Sequence, residues 1–286
     1  MGRTLEALRV AELRRSEMLA AAHGPRDFRL IAVASNKGGV GKTTVALHLA
    51  VYLRALHEDL PILLLGLDDQ ALIERTLALG AGPAERTLLD VLRAGSLAAG
   101  VHEGQFGLHY VAAAPDAEEL RPLLRDPGAL DQLLRRSAVR GLVIVDTKSE
   151  LGPSTRAAVA AADLVLAPAR DLASLAEAAK LRELLPPAAQ GRLRVLLSGV
   201  DLRIKFENGE EKDLLALLLA ELRRRELAHF PTFLSRSPVV EALATAPGGP
   251  PRTLLHAAPR SLVHRQMSAL AREVMEALDA LAPEGR

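Results

Sequence analysis

At 286 residues the chain is long enough for one large α/β domain, alone or with a terminal extension, and 49% hydrophobic with 25% charged residues is a globular balance. The absence of cysteine excludes disulfides, thiolate metal sites and protein-borne redox chemistry, and the eight histidines are scattered without a helical metal-ligand pair. A formal charge of +1 gives no overall field for a polyanion, and five Phe, two Tyr and no Trp are too few for base-stacking platforms.

In chain order, residues 4–22 carry an amphipathic helical pattern with Leu5, Leu8, Leu13 and Met18 loosely on one side, broken at Gly24-Pro25. This segment reads as an extension over residues 1–26, packed on the body or held for a partner, ahead of one domain over residues 27–286. Arg29 to Ala34 is a short buried strand, and Val45 to Leu53 an apolar helix without a breaker. Between them runs Ser35-Asn36-Lys37-Gly38-Gly39-Val40-Gly41-Lys42-Thr43-Thr44. Strand, glycine-rich loop and helix in that order predict a phosphate-binding loop: backbone N–H groups converge on one point, and the helix aims its positive end there. Lys42 is then expected on the β/γ-phosphates and the Thr43 hydroxyl on Mg²⁺.

The usual phosphate loop has glycine six residues before its lysine, where this chain has Asn36, and a second lysine, Lys37, stands directly before the glycines. Only six residues are lysines, and two of them fall in this loop. The motif KGGVGKTT resembles the deviant Walker A box of the ParA/MinD family of dimeric ATPases. The resemblance runs from about residue 29 to the C-terminus. It implies ATP and Mg²⁺ as ligands, nucleotide contacts from Lys37 through Thr44, and Lys37 reaching the phosphates bound by a second copy. The bland alternative for Lys37 is a solvated loop charge.

Pro61 to Leu67 reads as a second buried strand, ending at Asp68-Asp69-Gln70. The family usually has aspartate–x–aspartate–proline–glutamine here. Asp68 and Gln70 match it, whereas Gly66 stands for the first aspartate and Asp69 for the proline. The resemblance makes Asp68 the residue near Mg²⁺ that orients the attacking water; otherwise it is a strand-end cap. Thr87 to Gly95 is a short helix closed by glycine, Gly107 to Ala113 a strand, and a helix follows Pro115 through Leu120. Pro122 and Pro127-Gly128 punctuate before a helix from Leu130 to Ser137.

Gly141 to Asp146 is an apolar run ending in aspartate, the Walker B pattern, with Asp146 expected to hold a Mg²⁺-bound water. Thr147 fits the family, but Lys148-Ser149 replaces two prolines in a segment that senses the γ-phosphate in relatives. Lys148 is either a solvated loop lysine or a phosphate or partner contact. Next come an alanine-rich helix (Thr155 to Ala162), a strand (Asp163 to Pro168), a helix (Ser174 to Leu185) and a strand (Leu193 to Val200). Asn208 to Glu226 is expected as one long helix, Phe230 to Leu234 as a strand, Pro238 to Ala244 as a helix, and Pro247 to Pro251 as a loop. The closing helix, Arg260 to Leu281, places Leu262, Gln266, Leu270, Val274, Leu278 and Leu281 roughly on one stripe.

Alternating buried strands and helices predict an α/β fold, a mostly parallel twisted sheet with helices on both faces, as in P-loop NTPases of the deviant Walker A type. The resemblance further implies a homodimer formed with ATP, non-specific binding of double-stranded DNA, a stimulating ParB-like partner, and segregation or positioning of DNA or other cargo. Candidate DNA contacts are Arg203, Arg223, Arg224, Arg225, Arg236, Arg260 and Arg265. The longest apolar runs, Leu60 to Leu67 and Leu214 to Ala220, are too short to span a bilayer, and no signal-peptide pattern opens the chain. The expected location is cytoplasmic and nucleoid-associated, without a membrane. Three alternatives stand beside this reading. One is a member that binds ATP and DNA but hydrolyses weakly, given Gly66 and Lys148-Ser149. A MinD-like membrane positioner is a second, disfavoured by a tail that is neither basic nor bulky. A metabolic amide-forming ligase of the same superfamily is the third.

Overall fold

Seven parallel strands, each a short apolar run, stack edge to edge in the computed structural model, which describes residues 26–68, 72–79, 84–207, 211–245 and 253–281. In chain order they are β1 (Asp27–Val33), β2 (Ile62–Gly66), β3 (Val101–Glu103), β4 (His109–Val111), β5 (Arg140–Asp146), β6 (Leu164–Ala169), β7 (Leu193–Val200), β8 (Lys205–Glu207), β9 (Glu211–Asp213) and β10 (Leu234–Ser235). The main sheet runs β10-β7-β6-β1-β5-β2-β4-β3, and β8-β9 form a separate antiparallel pair. Only β3 runs against its neighbour in the main sheet, with Val101 opposite Val111. Every other strand therefore ends on the same edge, which is where a doubly wound sheet presents its ligand crevice.

The helices are α1 (Lys42–Leu56), α2 (Leu72–Leu77), α3 (Leu88–Ala94), α4 (Leu120–Leu123), α5 (Ala129–Arg136), α6 (Pro153–Ala161), α7 (Leu172–Glu183), α8 (Leu214–Arg224), α9 (Pro238–Thr245), α10 (Leu254–Ala257) and α11 (Leu262–Ala280). Successive strand residues point to opposite faces. Leu30 and Ala32 of β1 accordingly join Leu65, Val143 and Val165 in one core, under α5 to α8. Ile31 and Val33 join Leu64, Ile144 and Leu166 in the other, under α1 and α11. Two buried faces explain why these strands read as unbroken apolar runs rather than as alternating ones.

Several boundaries differ from the sequence reading. The long helix expected from Asn208 starts only at Leu214, because the β8-β9 hairpin occupies the segment before it and Asp213 caps the helix by accepting from Ala216 N–H at 2.6 Å. The turn after Pro115 is a 3-10 segment, Ala117–Glu119, running into α4, which includes Pro122. On α11 the buried stripe is Val263, Met267, Leu270, Ala271, Val274, Ala277 and Leu278, while Leu262 is 45% exposed. Ser261 sets that register: its side chain caps the helix by accepting from His264 N–H. The N-terminal amphipathic pattern, Asp69-Gln70 and the Pro247 to Pro251 loop lie outside the described residues.

Candidate functional site

The chain leaves β1 at Val33 and enters α1 at Lys42 through two left-handed glycines, Gly39 (φ +72°) and Gly41 (φ +90°). A side chain at either position would strain the backbone, so glycine at 39 and at 41 is a conformational requirement. No side chain caps α1, and its first turn carries no acidic residue. Its leading N–H groups and positive dipole end stay available to an anion.

Lys42 is 6% exposed, and burial pulls its ammonium below the ordinary lysine range, against the opposing pull of Asp146 and Asp68. Its Nζ donates to Ser149 Oγ at 2.6 Å and to the Lys37 carbonyl at 3.3 Å. Both of these acceptors are uncharged. Thr43, next in the helix, donates its hydroxyl to Asp146 Oδ2 at 2.6 Å. The other oxygen, Asp146 Oδ1, is buried and has no hydrogen-bond partner among the described residues. Burial pushes the Asp146 carboxyl up to about 7; the Thr43 hydrogen bond and Lys42 hold it down, and Asp68 adds to the upward push. A buried carboxylate oxygen without a partner costs free energy unless something fills the place. An orphan oxygen beside a threonine hydroxyl suits Mg²⁺, which retains several waters and takes few protein ligands.

Asp68 follows the end of β2, where Gly66 pairs in register with Asp146 and Leu67 N–H donates to the Asp146 carbonyl at 2.8 Å. The structure therefore brings Lys42, Thr43, Asp68 and Asp146 to one edge of the sheet. Lys37 turns the other way. Its ammonium pairs with Asp171 Oδ2 at 2.7 Å, at the turn between β6 and α7. Two further contacts bind the same turn region to the loop: Asn36 donates to Glu177 at 2.6 Å, and Arg170 donates to the Gly39 carbonyl at 3.2 Å. Arg170 and Asp171 went unrecognised in the sequence, and Ser149, singled out with Lys148 for replacing two prolines, was not read as a partner of Lys42, since each meets the loop from more than 100 positions away.

Beside the loop, under the ends of β7 and β10, lies a cavity of about 360 Å³. Val45, Leu234, Val240, Leu254 and Met267 give it apolar walls, and His48 and Ser235 supply polar groups. Burial pushes His48 down to about 4, so its ring is neutral, and its Nδ1 accepts from Leu254 N–H at 3.4 Å.

The seven candidate arginines do not form one patch. Arg203 follows β7 and Arg236 follows β10, on the nucleotide edge, and the start of α11 with Arg265 adjoins them. Arg223, Arg224 and Arg225 close α8 at the opposite edge, where Arg182 at the far end of α7 donates to the Glu226 carbonyl. Several are internally paired: Arg203 with Asp201 at 2.7 Å, Arg236 with Glu241 at 2.9 Å, and Arg224 with Glu221 at 2.6 Å. Among the described residues Arg223, Arg260 and Arg265 have no such carboxylate contact and are exposed.

A family model described as an AAA domain matches residues 28–182, more than half of the chain. The chain belongs to this family, the ParA/MinD group of P-loop ATPases. It is 40% identical over 141 residues to the chromosome-partitioning ATPase Soj of Thermus thermophilus, covering 49% of this chain and 54% of that protein. It is 33% identical over 150 residues to the chromosome partitioning protein ParA of Caulobacter vibrioides, covering 49% and 55%. The chain thus spans about half the length of the curated relatives it matches. Among solved structures, an ATP complex of a Cyanothece McdA variant superposes with a TM-score of 0.69 at 18% identity, over 89% of this chain and 98% of that one. MinD of Pyrococcus horikoshii complexed with Mg-ADP gives 0.68 at 21% identity, over 89% and 99%. At those identities the superpositions establish the fold.

Proposed function

We propose that this chain is a partition or positioning ATPase. ATP joins two copies, the joined copies hold double-stranded DNA without sequence preference, and hydrolysis, stimulated by a ParB-like partner, separates them. The observation that carries the reading is the divergence of two lysines within one loop. Lys42 is buried against uncharged acceptors over the phosphate position, while Lys37 sits at the rim on a half-exposed carboxylate, 34% and 41% exposed respectively. An exposed ion pair of that kind contributes about 0.2–1 kcal/mol and is readily exchanged for a phosphate on a second copy.

In this reading the loop amides and Lys42 bind the phosphates, and Thr43 with Asp146 holds Mg²⁺, which neutralises phosphate charge when bound. Asp68 orients the attacking water, and Lys37 of the second copy adds charge that a single chain lacks. Phosphoryl transfer needs mainly such positioning and charge neutralisation. The apolar cavity beside the loop accommodates the nucleoside. Because Lys37 acts across the pair, nucleotide state and pairing become linked equilibria. Arg203, Arg236, Arg260 and Arg265, on the edge that reads the nucleotide, are the arginines favoured for DNA, and nucleoid association follows from that.

A second reading, ATP and DNA binding with weak hydrolysis, is favoured by one feature: Gly66 removes a carboxylate beside Asp146. Phosphate release with DNA and partner present separates the two. The principal test is DNA binding by the apo, ADP and ATPγS states at two salt concentrations. Retention only with ATPγS, falling steeply with salt, is expected. Equal binding in all three states, or binding insensitive to salt, would refute the proposal.

A further inference from the structure

The peptide joining Gly39 to Val40 has little within the loop to hold it. Gly39 lies at φ +72°, and a Cβ there would meet nothing within 4 Å, so no neighbour packs against it from that side. A glycine so placed is free to turn. Its carbonyl nevertheless has a partner from outside the loop: Arg170, directly after β6, donates from Nη1 at 3.2 Å. Arg170 is itself held from behind. Its N–H donates to Ser174 Oγ at 2.9 Å, and Ser174 is fully buried in the capping box of α7. The guanidinium is exposed and makes no ion pair among the described residues, while its neighbour Asp171 is occupied by Lys37.

We infer that Arg170 is a positioning residue for nucleotide binding: by holding the Gly39 carbonyl it presents the Val40 N–H to the phosphates. The inference rests on the ATPase reading above and gives Arg170 no phosphate contact of its own. A trans peptide is planar, so its carbonyl and its N–H point in opposite directions. With the carbonyl fixed on the β6 side of the loop, the Val40 N–H is turned to the other side. Val40 is 2% exposed, and its N–H donates to nothing among the described residues. A donor on a buried residue is costly without an acceptor, and a phosphate oxygen supplies one. Loop amides cradle the phosphates that ADP and ATP share. Loss of Arg170 therefore weakens both nucleotides alike, whereas loss of a group on the terminal phosphate would separate them.

The test compares Mg²⁺-ADP and Mg²⁺-ATPγS binding by calorimetry for the wild-type chain, Arg170→Ala and Arg170→Lys, with the carbonyl ¹³C resonance of Gly39 followed in parallel. Arg170→Ala should bind both nucleotides about 5-fold more weakly, the loss of one exposed hydrogen bond from a charged donor. Its Gly39 resonance should move upfield as the carbonyl loses its donor, and its thermal midpoint should stay within about 2 °C of wild type. Arg170→Lys, which keeps a charged donor, should recover most of both affinities. Weakening of ATPγS alone, no weakening of either nucleotide, or an unmoved Gly39 resonance overturns the role of Arg170 and leaves the ATPase reading intact. So does a larger fall in midpoint with both affinities lost in Arg170→Ala and not recovered in Arg170→Lys, which would make the residue a general support of the fold. A wild-type chain that binds neither nucleotide overturns both.

Discussion

Asp171 offers a way to separate holding a helix from holding a lysine, because its two oxygens divide the tasks. Oδ1 accepts from Ser174 N–H at 2.8 Å and caps α7, while Oδ2 takes the Lys37 ammonium at 2.7 Å. Asparagine caps about as well as aspartate, so Asp171→Asn keeps the cap and removes the charged half of the latch. Both partners are partly exposed, which places the pair at about 0.5 kcal/mol. Two chains each release one such pair on joining, so the variant should pair about 5-fold more tightly with ATPγS. Lys37→Ala should act in the opposite direction and more strongly. It removes two charge-assisted contacts of about 1.5–3 kcal/mol each, a loss of 100-fold or more in pairing. Sedimentation velocity across a concentration series, with and without ATPγS, measures both constants. If Asp171→Asn pairs no more tightly than wild type, or Lys37→Ala pairs as well as wild type, the assignment of Lys37 to a second copy fails.

Three other outcomes are expected. His48 is protonated below about 4 in the folded chain and near its ordinary value when unfolded, so the unfolded state binds more protons between those values. Stability should therefore fall as pH drops from about 6.5 to 4, by up to about 3 kcal/mol, and His48→Asn should flatten that part of the urea-midpoint profile; superimposable slopes would count against it. Reversing charge at Arg260 and Arg265 should weaken ATPγS-dependent DNA retention about 10-fold and reduce its salt slope, whereas reversal at Arg223 and Arg224 should change it less than about 2-fold. The opposite ranking would move the DNA surface to the far edge of the sheet. Gly66→Asp meets only an ordinary contact, 3.5 Å from Ile73, but sets a second carboxylate beside Asp146. It should cost about 2 kcal/mol without ligand, and less with Mg²⁺-ATPγS, in thermal melts; an equal cost in both states would argue against a cation there.

The main sheet was legible because parallel strands buried on both faces leave continuous apolar runs ended by polar turns, as β1, β5 and β6 do. The phosphate loop was legible because its conformation demands particular glycines. The β8-β9 hairpin escaped because its residues are charged and adjoin a leucine-rich helix, so helical periodicity seemed to extend back through them; Asp213 was the overlooked stop. On α11 the error was angular: Leu262 is at the first turn, outside the buried face, and Gln266 spends its side chain on Ser235 at 2.9 Å rather than in the core. The partners of the loop lysines were illegible for a different reason. Ser149 and Asp171 are ordinary turn residues locally, and only the order β6-β1-β5 brings their turns to either side of the loop.

That strand order also bears on how a nucleotide would act. The loop after β1 is flanked by the turn after β5 on one side and the turn after β6 on the other. Each flanking turn holds one of the two lysines, Ser149 on Lys42 and Asp171 on Lys37. A triphosphate that recruits Lys42 alters what Ser149 meets, and one on a second copy that recruits Lys37 frees Asp171. The first event belongs to binding and the second to pairing, so they act on different turns and lead into different helices, α6 and α7. If the switch is built this way, variants at Ser149 should alter nucleotide discrimination while sparing the pairing of chains already loaded. Variants at Asp171 should alter pairing without changing nucleotide affinity. The two effects should combine additively in the double variant, because the turns lie on opposite sides of the loop.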